Sequence, residues 1–175
     1  MSEKLYFEGQ ETPRWINNLY DPLGRVTRTD YPDGTFVTMS YDKGRTAFID
    51  ANGHQKVEVK DAYGRLIAVE EYTGTNPAFS LYATTAYDYD ALDNLVRVTD
   101  TAGNETIITY DTLSRKVSID DPDMGHWAYS YDANGNLETQ TDAMNHTIAF
   151  SCDALNRIIL KDYPTGTDIS YHHDD

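Results

Sequence analysis

The chain has 175 residues, and its 29 acidic residues against 14 basic ones give a formal net charge of -15 at pH 7. This charge repels phosphate backbones and anionic lipids, so neither nucleic acid binding nor membrane insertion is expected, and no run approaches the roughly 20 apolar residues of a membrane helix. A single cysteine excludes an internal disulfide.

The aromatic composition favours a half-exposed β-sheet. The chain has 14 Tyr against 5 Phe and 2 Trp, and tyrosine packs across neighbouring strands while its hydroxyl stays in water. A hydrophobic share of 39% and a mean hydropathy of -0.61 indicate a large surface relative to the core. We therefore expect an ordered, surface-rich β protein, and no shift in composition forces a division into two domains.

Residues 1–16 are interpreted as an N-terminal leader or tag-like segment, because residues 4–9, KLYFEG, resemble a protease-site scar from an expression tag. The start lacks the apolar core of a secretory signal. Residues 17–175 are interpreted as one repeat array of about seven to eight copies. An insertion near residues 73–81, TGTNPAFSL, is expected in the end loop of a hairpin.

A Tyr-Asp pair recurs with a period near 21 residues and defines the repeat. The pairs are Tyr20-Asp21, Tyr41-Asp42, Tyr89-Asp90, Tyr110-Asp111 and Tyr131-Asp132. Cys152-Asp153 continues the register, Lys60-Asp61 is a degenerate copy, and Tyr171 is followed by His172. The first residues of these pairs, together with Tyr171, are called the tyrosine column below.

Each copy is predicted to contain two tight turns. The first follows the tyrosine column, and its last loop residue is expected to have positive φ, which Gly, Asn and Asp tolerate best. These residues are Gly24, Gly44, Gly64, Asp93, Ser114, Gly135 and Asn156. The second turn falls at 31–34, 50–53, 100–103, 121–125, 142–145 and 163–166. An aspartate that starts such a loop can accept a hydrogen bond from the amide two residues on.

Between the turns the sequence alternates with period two, so each copy is predicted to hold two strands. In the last copies, one side of the sheet is expected to carry Ile148, Phe150, Cys152, Ile158 and Leu160, and the other side Ser151 and Lys161. We expect an all-β fold of roughly fourteen to sixteen strands with almost no helix. Cumulative twist should make the sheet curl or spiral.

The pattern Tyr-Asp-x-x-Gly-Arg is complete at residues 20–25 and nearly complete at 61–66 and 131–137. It resembles the YD repeat of the RHS family over about residues 17–172. The resemblance implies tandem antiparallel hairpins that spiral into a hollow shell, as in bacterial polymorphic toxins, insecticidal toxin complexes and animal cell-surface adhesion proteins. It also implies a secreted or cell-surface location.

The resemblance assigns the repeat residues a structural role, with no catalytic, cofactor-binding or metal-binding residues. The structural motif comprises Tyr20, Asp21, Gly24, Arg25, Tyr41, Asp42, Gly44, Asp61, Gly64, Arg65, Tyr89, Asp90, Tyr110, Asp111, Arg115, Tyr131, Asp132, Gly135, Asp153, Asn156, Arg157 and Tyr171. The chain departs from toxin shells in three ways, since it is too short for a complete shell, lacks an appended toxin domain and lacks the acidic self-cleavage segment.

The leading functional hypothesis is therefore a non-catalytic β-shell or scaffold segment, a fragment of a toxin-encapsulating or cell-surface protein. One alternative is a carbohydrate-binding or adhesion module, because Trp15, Trp127 and the tyrosines could stack on a glycan while nearby Asp and Asn side chains bond to it. Another is a self-assembling extracellular subunit, because open sheet edges invite pairing with a second chain or with neighbouring segments of a longer shell.

Other chemistry is weighed against simpler explanations. Cys152 is interpreted as a small buried hydrophobe rather than a reactive thiol. His54, His126 and His146 follow turn residues and could form a metal-binding or pH-sensitive row, although turn preference explains them equally well. The loops at 50–53 and 132–136 resemble the acidic start of calcium loops but lack the downstream glutamate. We expect no enzyme activity and no cofactor.

Overall fold

The computed structural model describes residues 2–5 and 14–174, and within these ranges the chain is antiparallel β structure without a helix. The predicted all-β fold of tandem hairpins is thereby confirmed. Nothing in the described part forms a helix that could cross a bilayer. Of the predicted leader, residues 1–16, only residues 2–5 and 14–16 are described. Residues 2–5 form a strand.

The chain divides into two compact units, with the boundary between Ala86 and Tyr87. The strands of the first unit pair in chain order, each antiparallel to the next. They are β1 (Ser2–Leu5), β2 (Arg14–Tyr20), β3 (Val26–Asp30), β4 (Phe36–Asp42), β5 (Arg45–Ile49), β6 (Gln55–Lys60), β7 (Leu66–Thr75) and β8 (Ala78–Tyr89), of which β8 runs past the boundary.

The second unit has the same organisation, and its strands again pair in chain order. They are β9 (Leu95–Thr99), β10 (Glu105–Tyr110), β11 (Lys116–Asp121), β12 (Gly125–Tyr131), β13 (Leu137–Thr141), β14 (Thr147–Cys152), β15 (Ile158–Asp162) and β16 (Ile169–Ser170). Because the strands of each unit run alternately up and down, the turns that follow the tyrosine column lie at one end of that unit's strands. We call these the tyrosine-side turns and the others the opposite-side turns.

The strand register shifts in most tyrosine-side hairpins, at the tyrosine column itself. The shifts fall between Leu19 and Tyr20, Val59 and Lys60, Thr109 and Tyr110, Ser130 and Tyr131, and Ser151 and Cys152. A type I turn followed by a positive-φ residue produces this kind of bulge, in which one strand carries an extra residue.

The bulge corrects one prediction about the faces of the sheet. Leu160 was expected on the side of Phe150 and Lys161 on the other, and this is wrong. Lys161 is the cross-strand partner of Phe150, and Leu160 is the partner of Ser151; directly opposite residues share a side. The shift between Ser151 and Cys152 therefore exchanges the sides on which the residues of β15 lie.

The fold has almost no buried core in its described part. Val57, with 5% of its surface exposed, is the one buried hydrophobic residue there, and no polar residue is buried. This agrees with the surface-rich sheet expected from composition. Stability must therefore come from strand hydrogen bonds, turn closures and half-buried cross-strand pairs, which contribute roughly 0.2–1 kcal/mol each.

The segment at residues 73–81 lies at the end of the hairpin formed by β7 and β8. Most of its residues extend the two strands, which pair from Ala68 with Ala86 out to Thr75 with Ala78. The connection is Asn76-Pro77, with a cis peptide bond. The hairpin is longer than the others and interrupts the regular repeat of the first unit.

Candidate functional site

The repeated tyrosine-side turns are closed by their aspartates in one common geometry. In the first copy, the Asp21 Oδ1 atom accepts hydrogen bonds from the backbone N–H groups of Leu23 and Arg25, both at 2.9 Å. The Asp21 N–H donates to the Arg25 carbonyl at 2.9 Å, and the Gly24 N–H donates to the Asp21 carbonyl at 3.0 Å. The same four bonds recur at Asp61, Asp90, Asp111, Asp132 and Asp153.

Three opposite-side turns that begin with aspartate reuse this geometry, whereas Asp121 accepts the backbone N–H groups two and three residues on. Asp50, Asp100 and Asp142 each accept the backbone N–H two residues on, at 2.9, 2.8 and 2.9 Å. Each also accepts the N–H four residues on. The prediction that loop-starting aspartates fix these reversals is confirmed, and both ends of the strands use one closing device.

The left-handed column is confirmed as well. The backbone φ is positive at every predicted position, including 59° at Ser114, the residue type least suited to it, and 89° at Gly135. Asp93 and Asn156 have φ values of 65° and 62°. The turn therefore holds Ser114 at positive φ, although serine adopts this conformation less readily than glycine.

The fifth residue of each closure completes it, and this was not recognised from the sequence. Its side chain donates an N–H to the second carboxylate oxygen of the aspartate four residues earlier, at 2.7–3.1 Å. The donors are Arg25, His54, Arg65, Asn94, Asn104, Arg115, Asn136, His146 and Arg157. The signal was visible, because Arg, Asn and His all carry a side-chain N–H at that position.

The closures lower the pKa of the turn aspartates below the ordinary value. For Asp111 the main cause is the backbone N–H of Arg115, and for Asp132 it is the side-chain amide of Asn136. The pKa is lowered in the same direction at Asp21, Asp50, Asp61, Asp90, Asp100, Asp142 and Asp153. At Asp121 the pKa is also lowered, but there the main cause is the hydroxyl of Thr106 on a neighbouring strand. A carboxylate held ionised by donors of its own loop acts as a structural acceptor, not as a proton donor.

Three members of the tyrosine column tie neighbouring copies together. The hydroxyls of Tyr41, Tyr110 and Tyr131 donate to backbone carbonyls fifteen residues earlier, at 2.8, 3.1 and 2.8 Å. Two of these rings also carry an arginine from the preceding turn, since the Arg25 guanidinium lies 4.2 Å from the Tyr41 centroid and that of Arg115 lies 4.7 Å from Tyr131. These arginines bond to their own aspartates, so each links one closure to the next copy.

The other motif residues are placed differently. Tyr20 and Tyr89 end β2 and β8 directly before their turns, and the Tyr171 N–H donates to the Ile159 carbonyl at 2.9 Å. Asp42 ends β4 opposite Arg45, beside a two-residue turn in which Lys43 and Gly44 both have positive φ. The second copy is therefore reversed by a shorter turn than the rest.

The long hairpin of the first unit carries a further cluster that the sequence did not reveal. Arg45 on β5 forms an ion pair with Glu70 on β7, and the Tyr72 hydroxyl donates to the same Glu70 oxygen at 2.6 Å. The hydrogen bond from Arg45, followed by that from Tyr72, lowers the pKa of Glu70, and the bond to Glu70 raises the pKa of Tyr72. The cluster joins two strands that are separated by β6.

Beside this cluster lies a cavity of about 480 Å³. The hairpin tip supplies Asn76, Pro77 and Phe79, and the sheet supplies residues such as Ser40 and Ile49. Its volume falls in the range of small-molecule pockets, about 300–1,000 Å³. The Arg45, Glu70 and Tyr72 side chains use their polar groups on one another, and within the first unit they tie β7 to β5. We call these three residues the clamp.

The three histidines do not occupy matching positions in their copies, which the row suggested by the sequence as one alternative requires. His54 and His146 face the aspartates of their own turns at 3.1 Å, whereas His126 faces Asp120 at 2.7 Å across the strand pair. His126 thus has a different position in its copy. Over residues 2–5 and 14–174, no three or more His, Cys, Asp or Glu side chains are grouped so as to hold a metal ion.

Trp127 and Tyr129, two of the aromatic residues that suggested glycan binding, have contacts within the second unit. The indole N–H of Trp127 donates to the Met124 carbonyl at 3.2 Å, and the Lys116 ammonium lies 4.5 Å from the Tyr129 centroid. Cys152 is half-buried on β14. The repeat therefore uses its polar and aromatic groups mainly to hold its own turns and strands in place.

Comparisons with known proteins agree with this architecture. The family model described as RHS Repeat matches residues 61–105, 89–123 and 127–168. A crystal structure of TcdB2-TccC3-Cdc42 superposes with a TM-score of 0.71 at 17% identity. The TcdB2-TccC3 structure without its hypervariable C-terminal region and the Photorhabdus luminescens Tc holotoxin pore both give 0.72 at 17% identity.

These structural matches concern a short stretch of much larger chains. Each covers 89% of this chain but 9% of the matched chain. At this identity the likeness concerns the fold. No curated protein matches the sequence.

Proposed function

The chain belongs to the RHS repeat family, and from this premise we propose that it is a non-catalytic wall segment of a larger RHS-repeat shell. The observation that carries the proposal is the closure of the repeat on itself, in which each turn aspartate is bonded to its own loop. A catalytic site would need a nucleophile and a base, or paired carboxylates, in a shared cleft. The described turns instead supply a repeated surface whose carboxylates are bonded within their own loops.

The parent protein, in this proposal, encloses a toxic cargo or stands at the cell surface, and so acts outside the cell that makes it. Support comes from the Tc holotoxin pore among the matched structures and from the shell-forming habit of the family. The partners of the segment are neighbouring repeats of the same shell. They would pair with its outer strands, because a strand at a sheet edge offers unpaired N–H and C=O groups.

The proposal is tested by lengthening the array. We would insert a second copy of residues 111–131 directly after Tyr131, so that one 21-residue period is duplicated in register. In a repeat array each added copy brings its own stability and one new interface. The free energy of unfolding should rise, and the urea m-value should rise by about a tenth, in proportion to the surface added.

A matched control carries the same insertion with alanine replacing the inserted copies of Asp111 and Arg115, which removes the turn closure. It should recover little of the gain. If the intact insertion lowers both the melting temperature and the m-value, the segment is a self-contained domain whose packing cannot accept another copy, and the wall proposal fails.

A further inference from the structure

Large apolar side chains project from the tyrosine-side turns of the second unit. They occupy the second residue after the closing aspartate, a loop position that polar residues usually fill. Leu92, Leu113 and Leu155 lie there with 65%, 70% and 71% of their surface exposed. The remaining turn of this side carries Asn134, which keeps the same bond to its aspartate at 2.9 Å. We call the three leucines the leucine row.

The row has a fixed spacing because the sheet sets it. Successive tyrosine-side turns are two strands apart, and neighbouring strands lie about 4.8 Å apart, so successive row positions are separated by about 10 Å. The four positions along this side are Leu92, Leu113, Asn134 and Leu155, in chain order. A partner that matches the row must present apolar groups at the same interval.

Charge is reduced beside two of the three leucines, whereas the turn of Leu92 pairs Asp90 with the neutral Asn94 and keeps its negative charge. Leu113 and Leu155 lie in loops whose aspartates are ion-paired with Arg115 and Arg157 at 2.7 Å. The opposite-side turns of this unit contain no arginine, and Asn104 and His146 fill the corresponding positions. The second unit therefore places its neutralised turns on the side that carries the leucines, and this reduces repulsion between two such edges in a chain of net charge -15.

We propose that the leucine row is a self-association surface, through which the edge of the second unit packs against the same edge of a second copy. A second copy has the required spacing by construction, because its row is set by the same strands. In a two-fold arrangement whose axis runs along the rows, each leucine meets its own counterpart in the other copy, and Asn134 meets Asn134. This contact uses side chains at the turns and is distinct from backbone pairing at the outer strands.

The test replaces the row by the residue that the fold already accepts there. The triple variant Leu92→Asn, Leu113→Asn and Leu155→Asn copies the native Asn134, so its turns should close normally and its melting temperature should stay near that of the wild type. The control is Met144→Asn, which changes the same loop position in an opposite-side turn, where Met144 is 72% exposed and its N–H bonds to Asp142 at 2.9 Å.

Sedimentation velocity and light scattering would be measured over a wide concentration range at low and high salt. The wild-type mass should rise above 19.8 kDa with concentration, and more readily at high salt, since salt screens the net negative charge. The triple variant should associate at least about tenfold more weakly, since the lost apolar contact is its main attraction. Met144→Asn should behave as the wild type.

Three outcomes would overturn the proposal: a wild type that stays monomeric throughout, a triple variant that associates like the wild type, or an equal loss in Met144→Asn. If the triple variant melts early, the single variants Leu113→Asn and Leu155→Asn decide instead, and each should weaken association without changing the far-UV spectrum. None of these outcomes bears on the repeat-insertion test, so the two proposals fail separately.

Discussion

Removing the hydroxyls of Tyr41, Tyr110 and Tyr131 tests whether the tyrosine column ties neighbouring repeats together. Each hydroxyl donates to a carbonyl fifteen residues earlier, at 2.8, 3.1 and 2.8 Å. Substitution by phenylalanine deletes this bond and keeps the ring, so the arginine contacts of Tyr41 and Tyr131 stay in place. The change therefore isolates the hydrogen bond from the packing.

The expected loss follows from the bond count. A hydrogen bond of this kind contributes a net free energy of about 1 kcal/mol, so the triple variant should lose about 3 kcal/mol of unfolding free energy. For a chain of this size, each kcal/mol lowers the melting temperature by about 2–4 °C, which predicts a fall of about 6–12 °C. Tyr110→Phe should contribute least, because its bond is the longest at 3.1 Å.

Thermal and urea unfolding followed by circular dichroism would measure the loss, with Tyr82→Phe as the control. Tyr82 is 69% exposed, so deletion of its hydroxyl should leave the melting temperature unchanged. A triple variant that melts within about 1 °C of the wild type would refute the reasoning, because even weak net bonds at three sites should sum to a larger shift.

Three further predictions address the turns and the column. Cys152 belongs to the tyrosine column, and the carbonyl fifteen residues earlier is that of Leu137. The hydroxyl of the variant Cys152→Tyr should donate to it, so the unfolding free energy of this variant should exceed that of Cys152→Phe by about 1 kcal/mol. Equal urea midpoints for the two variants would contradict this. Gly64→Val should lose about 1–3 kcal/mol of unfolding free energy. The loss is backbone strain, because φ is +86° at Gly64, and it is not a steric clash, because a Cβ there would meet nothing within 4 Å. Gly64→Asn should melt near the wild type, since φ at Asn156 is also positive. The pKa values of the turn aspartates are lower in the folded chain than in the unfolded chain, where they are about 3.9. The ionised aspartates therefore stabilise the fold fully above the unfolded pKa, and this stabilisation is lost as the pH falls through the folded pKa values. A melting temperature that stays constant from about pH 5 to pH 2 would contradict the closure argument.

Much of the fold could be predicted because its signals are local. The Tyr-Asp register locates each turn, and outside the shorter turn of the second copy the residue three positions after the aspartate has positive φ even at Ser114, where only the register pointed to it. The opposite-side turns follow from Asp50, Asp100 and Asp142 by the same chemistry. A turn whose hydrogen bonds all lie within five residues can be predicted from those five residues alone.

The parts that could not be predicted depend on longer range. The bulge at Cys152 inserts one residue without changing the alternating pattern, so the sides of Leu160 and Lys161 could not be assigned by periodicity. The clamp of Arg45 and Glu70 joins residues 25 positions apart across an intervening strand. The interval that interrupts the repeat gave no sign that its residues would lengthen β7 and β8.

The acidity of the chain can be traced in part to the turns. In the part of the chain that the structure describes, nine closures pair an aspartate with a donor four residues on, and four of the donors are arginines, which neutralise their aspartates. The other five donors are Asn or His, so five closures keep a negative charge when the histidines are neutral. Those five charges are a third of the net charge of -15, and each is fixed by bonds inside its own loop. Turn chemistry therefore explains a large share of the negative charge without a cationic partner. Replacing Asn136 by arginine should make the net charge of -15 less negative by one while preserving the closure of Asp132.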